Sequence, residues 1–104
     1  MTRADSECCT PFLKALGDKT RWRIVQALLG GPVTVSELAD RLEVSQYNVS
    51  KHLRILREAG MVVADRRGKH VHCRIVPAFR RRMAKKKNQL DLGCCVFRFD
   101  TNSR

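Results

Sequence analysis

Apolar residues recur at helical spacing in the first third of the chain. Residues 12–16 follow Pro11 and have the spacing of a short first helix that ends at Gly17. Asp18 is placed to cap a second helix, whose apolar residues repeat every four positions until the chain reaches residues 30–32, Gly-Gly-Pro. The pattern therefore predicts two consecutive helices joined by a sharp turn.

Two further amphipathic segments follow, each with a single apolar stripe. Ser36 is placed to cap a third helix with the stripe Val35, Leu38, Ala39 and Leu42. A break at residues 43–44 leads to Ser45, which is placed to cap a fourth helix that ends before Gly60. Its stripe consists of Val49, Leu53 and Leu56. The sequence thus predicts two short helices separated by a tight turn.

The pattern then changes from helical spacing to alternation. Residues 61–64 are rich in strand formers, residues 67–70 have turn composition, and apolar Val71, Cys73 and Ile75 alternate with polar residues. Pro77 can start a last helix, and the alternating residues 96–99 favour an ordered tail. The predicted fold class is mainly α with a β-hairpin wing, in the order of a winged helix-turn-helix.

Charge and length narrow the choice of partner. The chain has 104 residues and a formal net charge of +11, which is typical of a single small domain that meets a polyanion, most often nucleic acid. It contains no apolar stretch near the roughly 18 residues of a membrane span and no signal-peptide pattern. We therefore expect a cytoplasmic protein that contacts double-stranded DNA and no membrane.

The polar face of the predicted fourth helix has the chemistry of a DNA-reading surface. At about 100° per residue, Tyr47, Lys51 and Arg54 point away from the apolar stripe, with Asn48 and Ser50 beside them. These side chains suit base edges and phosphates, and the amino end of the helix suits a phosphate. The candidate DNA-binding residues are Ser45, Gln46, Tyr47, Asn48, Ser50, Lys51 and Arg54, with Arg66, Arg67, Lys69 and neighbouring His70 on the wing. His52 lies at the edge of the apolar face and is interpreted as structural.

Three segments carry a family resemblance: LGDKTRWRI at residues 16–24, VSELA at 35–39 and SQYNVSKHLRILREAGMV at 45–62. Together they resemble the ArsR/SmtB family of winged-helix repressors over most of residues 12–76. The resemblance implies a homodimer paired through the first and last helices, bound to a palindromic operator and released by an effector. The domain boundaries expected on this basis are a flexible segment at 1–10, a winged helix-turn-helix DNA-binding and dimerisation domain at 11–92, and a cysteine-bearing tail at 93–104.

Two effector patterns of the family are absent, which leaves the thiols as candidates. Residues 37–42 contain no cysteine, and the last helix lacks the Asp/His set for zinc or nickel. The five cysteines include two adjacent pairs, which suits reduced thiol chemistry better than a disulfide framework. Thiolates select soft ions such as trivalent arsenic, and no other cofactor is expected.

The predicted effector site is centred on Cys94 and Cys95, beside Gly93. Two sulfurs are enough for a methylated or aryl arsenical, whereas arsenite takes three. Cys73 is a third donor by resemblance to family members that combine a wing-strand cysteine with a carboxyl-terminal pair, although its alternation with apolar residues is also typical of a core filler. Cys8 and Cys9 are the alternative donors. A soft divalent metal is an alternative effector.

Other functions remain open on the sequence. Cationic residues near the thiols favour oxidation as well as metal binding, so a redox-controlled or effector-independent regulator is one alternative. The runs 80–82 and 85–87, Arg-Arg-Arg and Lys-Lys-Lys, leave a non-specific basic nucleic-acid-binding protein as another. An enzyme is not expected, because His70 and His72 have no evident acidic partner and the chain is small for a substrate cleft.

Overall fold

The computed structural model describes residues 12–78 and two short strands at residues 89–91 and 96–98. Residues 12–16 are helical and form α1, which ends at Gly17 as the sequence predicts. The further elements are α2 (Lys19–Leu28), β1 (Val33–Thr34), α3 (Val35–Leu42), α4 (Gln46–Glu58), β2 (Val62–Arg67), β3 (His70–Ile75), β4 (Gln89–Asp91) and β5 (Val96–Arg98). This order confirms the predicted mainly helical fold with a β-hairpin wing.

The second helix begins at the predicted residue because Asp18 caps it. The Asp18 carboxylate accepts hydrogen bonds from the backbone N–H groups of Thr20 at 2.8 Å and Arg21 at 3.1 Å. These groups lack partners within the helix, so the cap satisfies them. The hydrogen bond from the Arg21 backbone N–H, opposed by partial desolvation, holds the pKa of Asp18 below its usual value.

The prediction that Ser36 caps α3 is wrong, because Thr34 holds that position. The Thr34 hydroxyl accepts from the Glu37 N–H at 3.1 Å, and the Glu37 carboxylate accepts from the Thr34 N–H at 2.9 Å, a reciprocal capping box. Thr34 is extended because β1 pairs with β3, with Thr34 opposite His72. Pairing with a distant strand therefore moves the start of the helix forward to Val35.

The turn between α3 and α4 follows the predicted break. Glu43 adopts a left-handed conformation with φ of 59°, which ends α3. Ser45 then caps α4 as predicted, since its hydroxyl accepts from the Asn48 N–H at 3.1 Å. The two short helices are therefore oriented by a local cap on each side of a tight turn.

The wing is an antiparallel hairpin with a third strand at its side. β2 pairs with β3 from Val62 opposite Ile75 to Arg67 opposite His70, which leaves a two-residue turn. Gly68 in this turn has φ of +62°, a conformation that favours glycine. The hairpin confirms the sequence prediction, whereas β1, which pairs with β3 on the other side, was not predicted.

One apolar cluster joins the helices to the sheet. The predicted stripe residues of α4 are all buried in it, so α4 presents its opposite face outward. Burying an aliphatic side chain of this size contributes about 1.5–3 kcal/mol, which fixes the helix on the body of the domain. The most deeply buried large side chains are Ile24, Leu28, Leu38, Leu56, Val25, Val49, Val62 and Cys73.

The carboxyl-terminal region is described only in part. Residues 77 and 78 are helical, in agreement with a helix start at Pro77, while the cationic runs at 80–82 and 85–87 lie outside the described residues. β4 and β5 pair antiparallel, with Asp91 opposite Val96, and lie on either side of residue 93, the predicted start of the tail. In the part of the chain that the structure describes, none of the helices is long and apolar enough to cross a membrane.

Candidate nucleic-acid interface

The outer face of α4 is polar and open to solvent. All seven candidate residues of this segment are exposed, from Ser45 to Arg54. Tyr47 is 76% exposed, which is unusual for a large aromatic side chain within a folded domain. The expectation that Tyr47, Lys51 and Arg54 point away from the core is confirmed. Their role in DNA binding stays a prediction.

A shallow depression runs along this face. It has a volume of about 350 Å³ and is lined by Tyr47, Ser50, Lys51, Arg54 and Arg57. Three of these five side chains are cationic, so the depression attracts an anionic partner. Arg57 was missed by the sequence analysis, although its position three residues beyond Arg54 continues the helical spacing of the same face.

The exposed pair Arg54 and Glu58 orients one side chain of this face. Arg54 Nε lies 3.5 Å from Glu58 Oε2, one helical turn further along α4. An exposed pair of this kind contributes only about 0–1 kcal/mol to stability, so its main consequence is geometric. Because Glu58 occupies the Nε side, the terminal guanidinium nitrogens are the part of Arg54 suited to a guanine edge or a phosphate.

Gln46 has a different environment from its neighbours on α4. Its side-chain Nε2 donates to the Ser36 hydroxyl at 3.3 Å. This contact ties the first turn of α4 to the first turn of α3. Gln46 therefore contributes to holding the two helices together, as well as being exposed at the amino end of α4.

The wing presents a second basic surface. Arg66, Arg67, Lys69 and His70 are all exposed at or beside the hairpin turn. Below the turn, Arg74 Nε lies 3.6 Å from Asp65 Oδ2 across the two strands. Within the described residues, no carboxylate pairs with Arg66, Arg67 or Lys69, so these cations suit phosphate contacts.

Cys73 is the one predicted effector ligand within the described residues, and it lies in the core. It is 0% exposed and stands opposite Val33 of β1 and Ala64 of β2. Burial raises the pKa of its thiol and outweighs the opposite effect of nearby Arg57. A protonated thiol is a poor ligand for a soft ion, so this environment corresponds to the core-filler interpretation.

The remaining thiol predictions fall on parts of the chain that the structure does not describe. Cys8, Cys9, Cys94 and Cys95 all lie outside the described residues. Within 12–78, 89–91 and 96–98, no group of three or more His, Cys, Asp and Glu side chains is placed to hold a metal ion. The effector site therefore stays a prediction.

A pair of short helices with one exposed polar face, followed by a basic hairpin, defines a winged helix-turn-helix protein. Residues 18–63 match the sequence model of a protein family, which is described as bacterial regulatory protein, arsR family. The chain belongs to this family. ArsR-family proteins are DNA-binding transcriptional regulators and not enzymes, in agreement with the expected class.

Individual relatives support the assignment. Reduced HlyU from Vibrio cholerae N16961 has a similar structure, with a TM-score of 0.68 and 33% identity over 70% of this chain and 77% of that one. The ArsR-like transcriptional regulator from Rhodococcus sp. RHA1 has a TM-score of 0.65 and 33% identity over 75% of this chain and 72% of that one.

One curated relative is named for arsenical resistance. The arsenical resistance operon repressor of Escherichia coli K12 is 42% identical over 67 residues, which cover 64% of this chain and 57% of the relative. This chain spans about half to two thirds of the length of the curated relatives that it matches.

Proposed function

We propose that this protein is a transcriptional repressor that binds a palindromic DNA operator as a homodimer. The observation that carries the proposal is the exposed face of α4, where Tyr47, Lys51 and Arg54 surround a cationic depression. The apolar stripe fixes α4 on the domain, so this face is presented rigidly, as groove recognition requires. The wing, with its exposed cations, supplies a second contact to the DNA backbone.

The residues divide by chemistry into reading and positioning contacts. Asn48 and Ser50 hydrogen-bond base edges, and Arg54 takes guanine acceptors with its terminal nitrogens. Lys51 contacts guanine or phosphate, and Tyr47 contacts a thymine methyl group or a phosphate. Ser45, Gln46, Arg66, Arg67 and Lys69 contact the backbone and fix the register.

A homodimer accounts for an otherwise unexplained apolar side chain on α1. Leu13 is 49% exposed, and pairing through the first and last helices would cover it. Two copies related by a two-fold axis read two half-sites about one helical turn apart, so the operator is palindromic.

The proposed effector is trivalent arsenic, as arsenite or methylarsenite, bound by Cys94 and Cys95. The proposal is supported by the adjacent thiols in the sequence and by two relatives whose names refer to arsenical or arsenic resistance, one a repressor and one a transcriptional regulator. Three cysteines are proposed as the third donor. Cys73 is buried, so Cys8 or Cys9 is favoured in this role. Arsenic binding shifts the dimer to a geometry that does not fit the operator. A coupling free energy of about 1–3 kcal/mol between arsenic binding and DNA binding corresponds to a 5- to 150-fold loss of affinity for the operator.

DNA recognition is tested with Lys51→Ala and Arg54→Ala. The probe is the tightest-binding duplex recovered from a random-sequence library, compared with a scrambled duplex of equal length. We expect each variant to lose about tenfold or more in affinity for the recovered duplex, and Lys51→Ala to reduce the salt slope by about one if it contacts a phosphate.

The matched control is Lys19→Ala, which removes an equal charge at an exposed position outside α4 and the wing. It should retain most of the affinity. Wild-type affinity in both α4 variants would contradict the proposed interface. Equal affinity of the unmodified protein for recovered and scrambled duplexes would instead favour the non-specific basic protein.

Effector response is tested by titrating arsenite and methylarsenite into the DNA complex of the fully reduced protein. We expect release, and we expect Cys94→Ser together with Cys95→Ser to abolish it. Retention of DNA by the reduced protein at saturating arsenical would contradict the arsenic proposal. Release by peroxide and not by either arsenical would favour the redox-controlled alternative.

A further inference from the structure

The side chain of Arg21 joins α1 to α4. Its Nε donates to the Ala15 carbonyl at 2.6 Å, and its Nη2 donates to the Lys14 carbonyl at 3.4 Å. Its Nη1 lies 3.2 Å from Nδ1 of His52 on α4. One guanidinium therefore contacts both the carboxyl end of the first helix and the middle of the fourth.

The contacts to α1 follow from the ends of the helices. The last carbonyl groups of a helix lack partners further along it, and a cation is favourable beside them. The Lys14 carbonyl also accepts from the Gly17 N–H, at 3.3 Å. Arg21 lies in the first turn of α2, from which a helical side chain extends back toward the preceding segment. The planar guanidinium carries five donors in a fixed arrangement, whereas the lysine ammonium is a compact group that cannot span the same three acceptors.

His52 is the partner of Arg21 on α4, and it does not belong to the exposed DNA-facing surface. Its side chain is only 16% exposed, and its Nδ1 also lies 3.8 Å from Asp18 Oδ2. Arginine can only donate, so Nδ1 of His52 is the acceptor in this contact. Immediately beside it in the sequence, Lys51 faces outward and Leu53 is buried.

We propose that Arg21 is a positioning residue for DNA recognition, which fixes α4 to the carboxyl end of α1 through His52 and so sets the direction in which α4 meets the groove. This inference rests on the proposed function. The contact joins residues 31 positions apart and adds a polar connection between α1 and α4 to the apolar core that the two helices share, so a displacement of α1 is transmitted to α4. The first helix, which the family resemblance places at the dimer contact, is thereby connected to the DNA-reading face.

The test separates an effect on the orientation of α4 from a loss of positive charge and from a loss of protein stability. His52→Leu removes the acceptor and keeps apolar bulk, while His52→Asn places a carbonyl oxygen near the position of Nδ1 and serves as the rescue variant. Arg21→Lys keeps the charge and loses the three-way contact. Each is compared with the unmodified protein on the duplex recovered from a random-sequence library and on its scrambled counterpart, at a temperature where circular dichroism shows every protein folded.

We expect His52→Leu and Arg21→Lys each to lose about two- to thirtyfold in affinity for the recovered duplex. Affinity for the scrambled duplex and the salt slope should stay unchanged, because no phosphate contact is removed. His52→Asn should recover most of the preference. The double variant, Arg21→Lys with His52→Leu, should lose no more than the larger single loss, since either change alone interrupts the connection between α1 and α4.

The outcomes distinguish this inference from the function on which it rests. If the unmodified protein does not prefer the recovered duplex, the proposed function fails and the inference fails with it. If the unmodified protein shows the preference and both single variants keep it, only the role of Arg21 is overturned. Equal losses on the two duplexes, or additive losses in the double variant, would also overturn it.

Discussion

Replacing Cys73 separates a core residue from an effector ligand. The side chain is fully buried on β3 between Val33 and Ala64. Cys73→Ala removes only the sulfur, and small deletions of this size in a core cost about 0.5–1.5 kcal/mol. Cys73→Ser keeps the shape but places a hydroxyl in an apolar site, which costs about 1–3 kcal/mol when the group finds no partner. We therefore expect the serine variant to be the less stable of the two.

The assay combines thermal unfolding with effector release. A loss of 1 kcal/mol lowers the midpoint by about 4–8 °C in a domain of 60–100 residues, so the two variants can be ranked. Below both midpoints, each variant should still be released from the recovered duplex at the arsenite concentration that releases the unmodified protein. Cys94→Ser is the control that should lose release.

The opposite result would refute the argument from burial. If Cys73→Ala unfolds at the wild-type temperature and no longer responds to arsenite, the thiol is an effector ligand. The core-filler interpretation is then wrong.

Two predictions concern the helix caps. Asp18→Asn keeps a capping oxygen but removes the charge. The pKa of Asp18 is lower in the folded protein than its usual value of 3.8. The charged carboxylate therefore stabilises the fold above pH 3.8, and this stabilisation is lost as the pH falls through the pKa of the folded state. The variant should therefore show a shallower loss of stability in acid, measured as melting temperature against pH, and an unchanged acid profile would contradict this. Thr34→Ala should cost about 1 kcal/mol because it removes the cap of α3, while its control Ser36→Ala should cost clearly less in urea unfolding. Equal losses would contradict the assignment of the cap to Thr34.

Local sequence patterns predicted α4 and its orientation well. The stripe of Val49, Leu53 and Leu56 and the cap at Ser45 all act within a few residues, so the spacing alone indicates which face is buried. The outward direction of Tyr47 follows from the same geometry. Arg57 lies on that face too and was overlooked, although its spacing carried the signal.

Contacts between distant residues were beyond the reach of these patterns. The cap of α3 was assigned to Ser36 because a local sequence pattern does not indicate that Thr34 pairs with His72, which is distant in the sequence. The burial of Cys73 was left open for the same reason, since alternation on one strand does not tell what packs against it.

The sequence by itself determined the order of the first four helices and the hairpin, the polar face of α4 and the basic turn of the wing, because periodicity, caps and turn residues act over a few positions. The tertiary structure alone decided that β1 joins the wing, that the Cys73 thiol is enclosed, and that Arg21 reaches His52. Each of these depends on chain segments that meet only after folding, where burial and hydrogen-bond geometry are fixed by the whole core and not by neighbours in sequence.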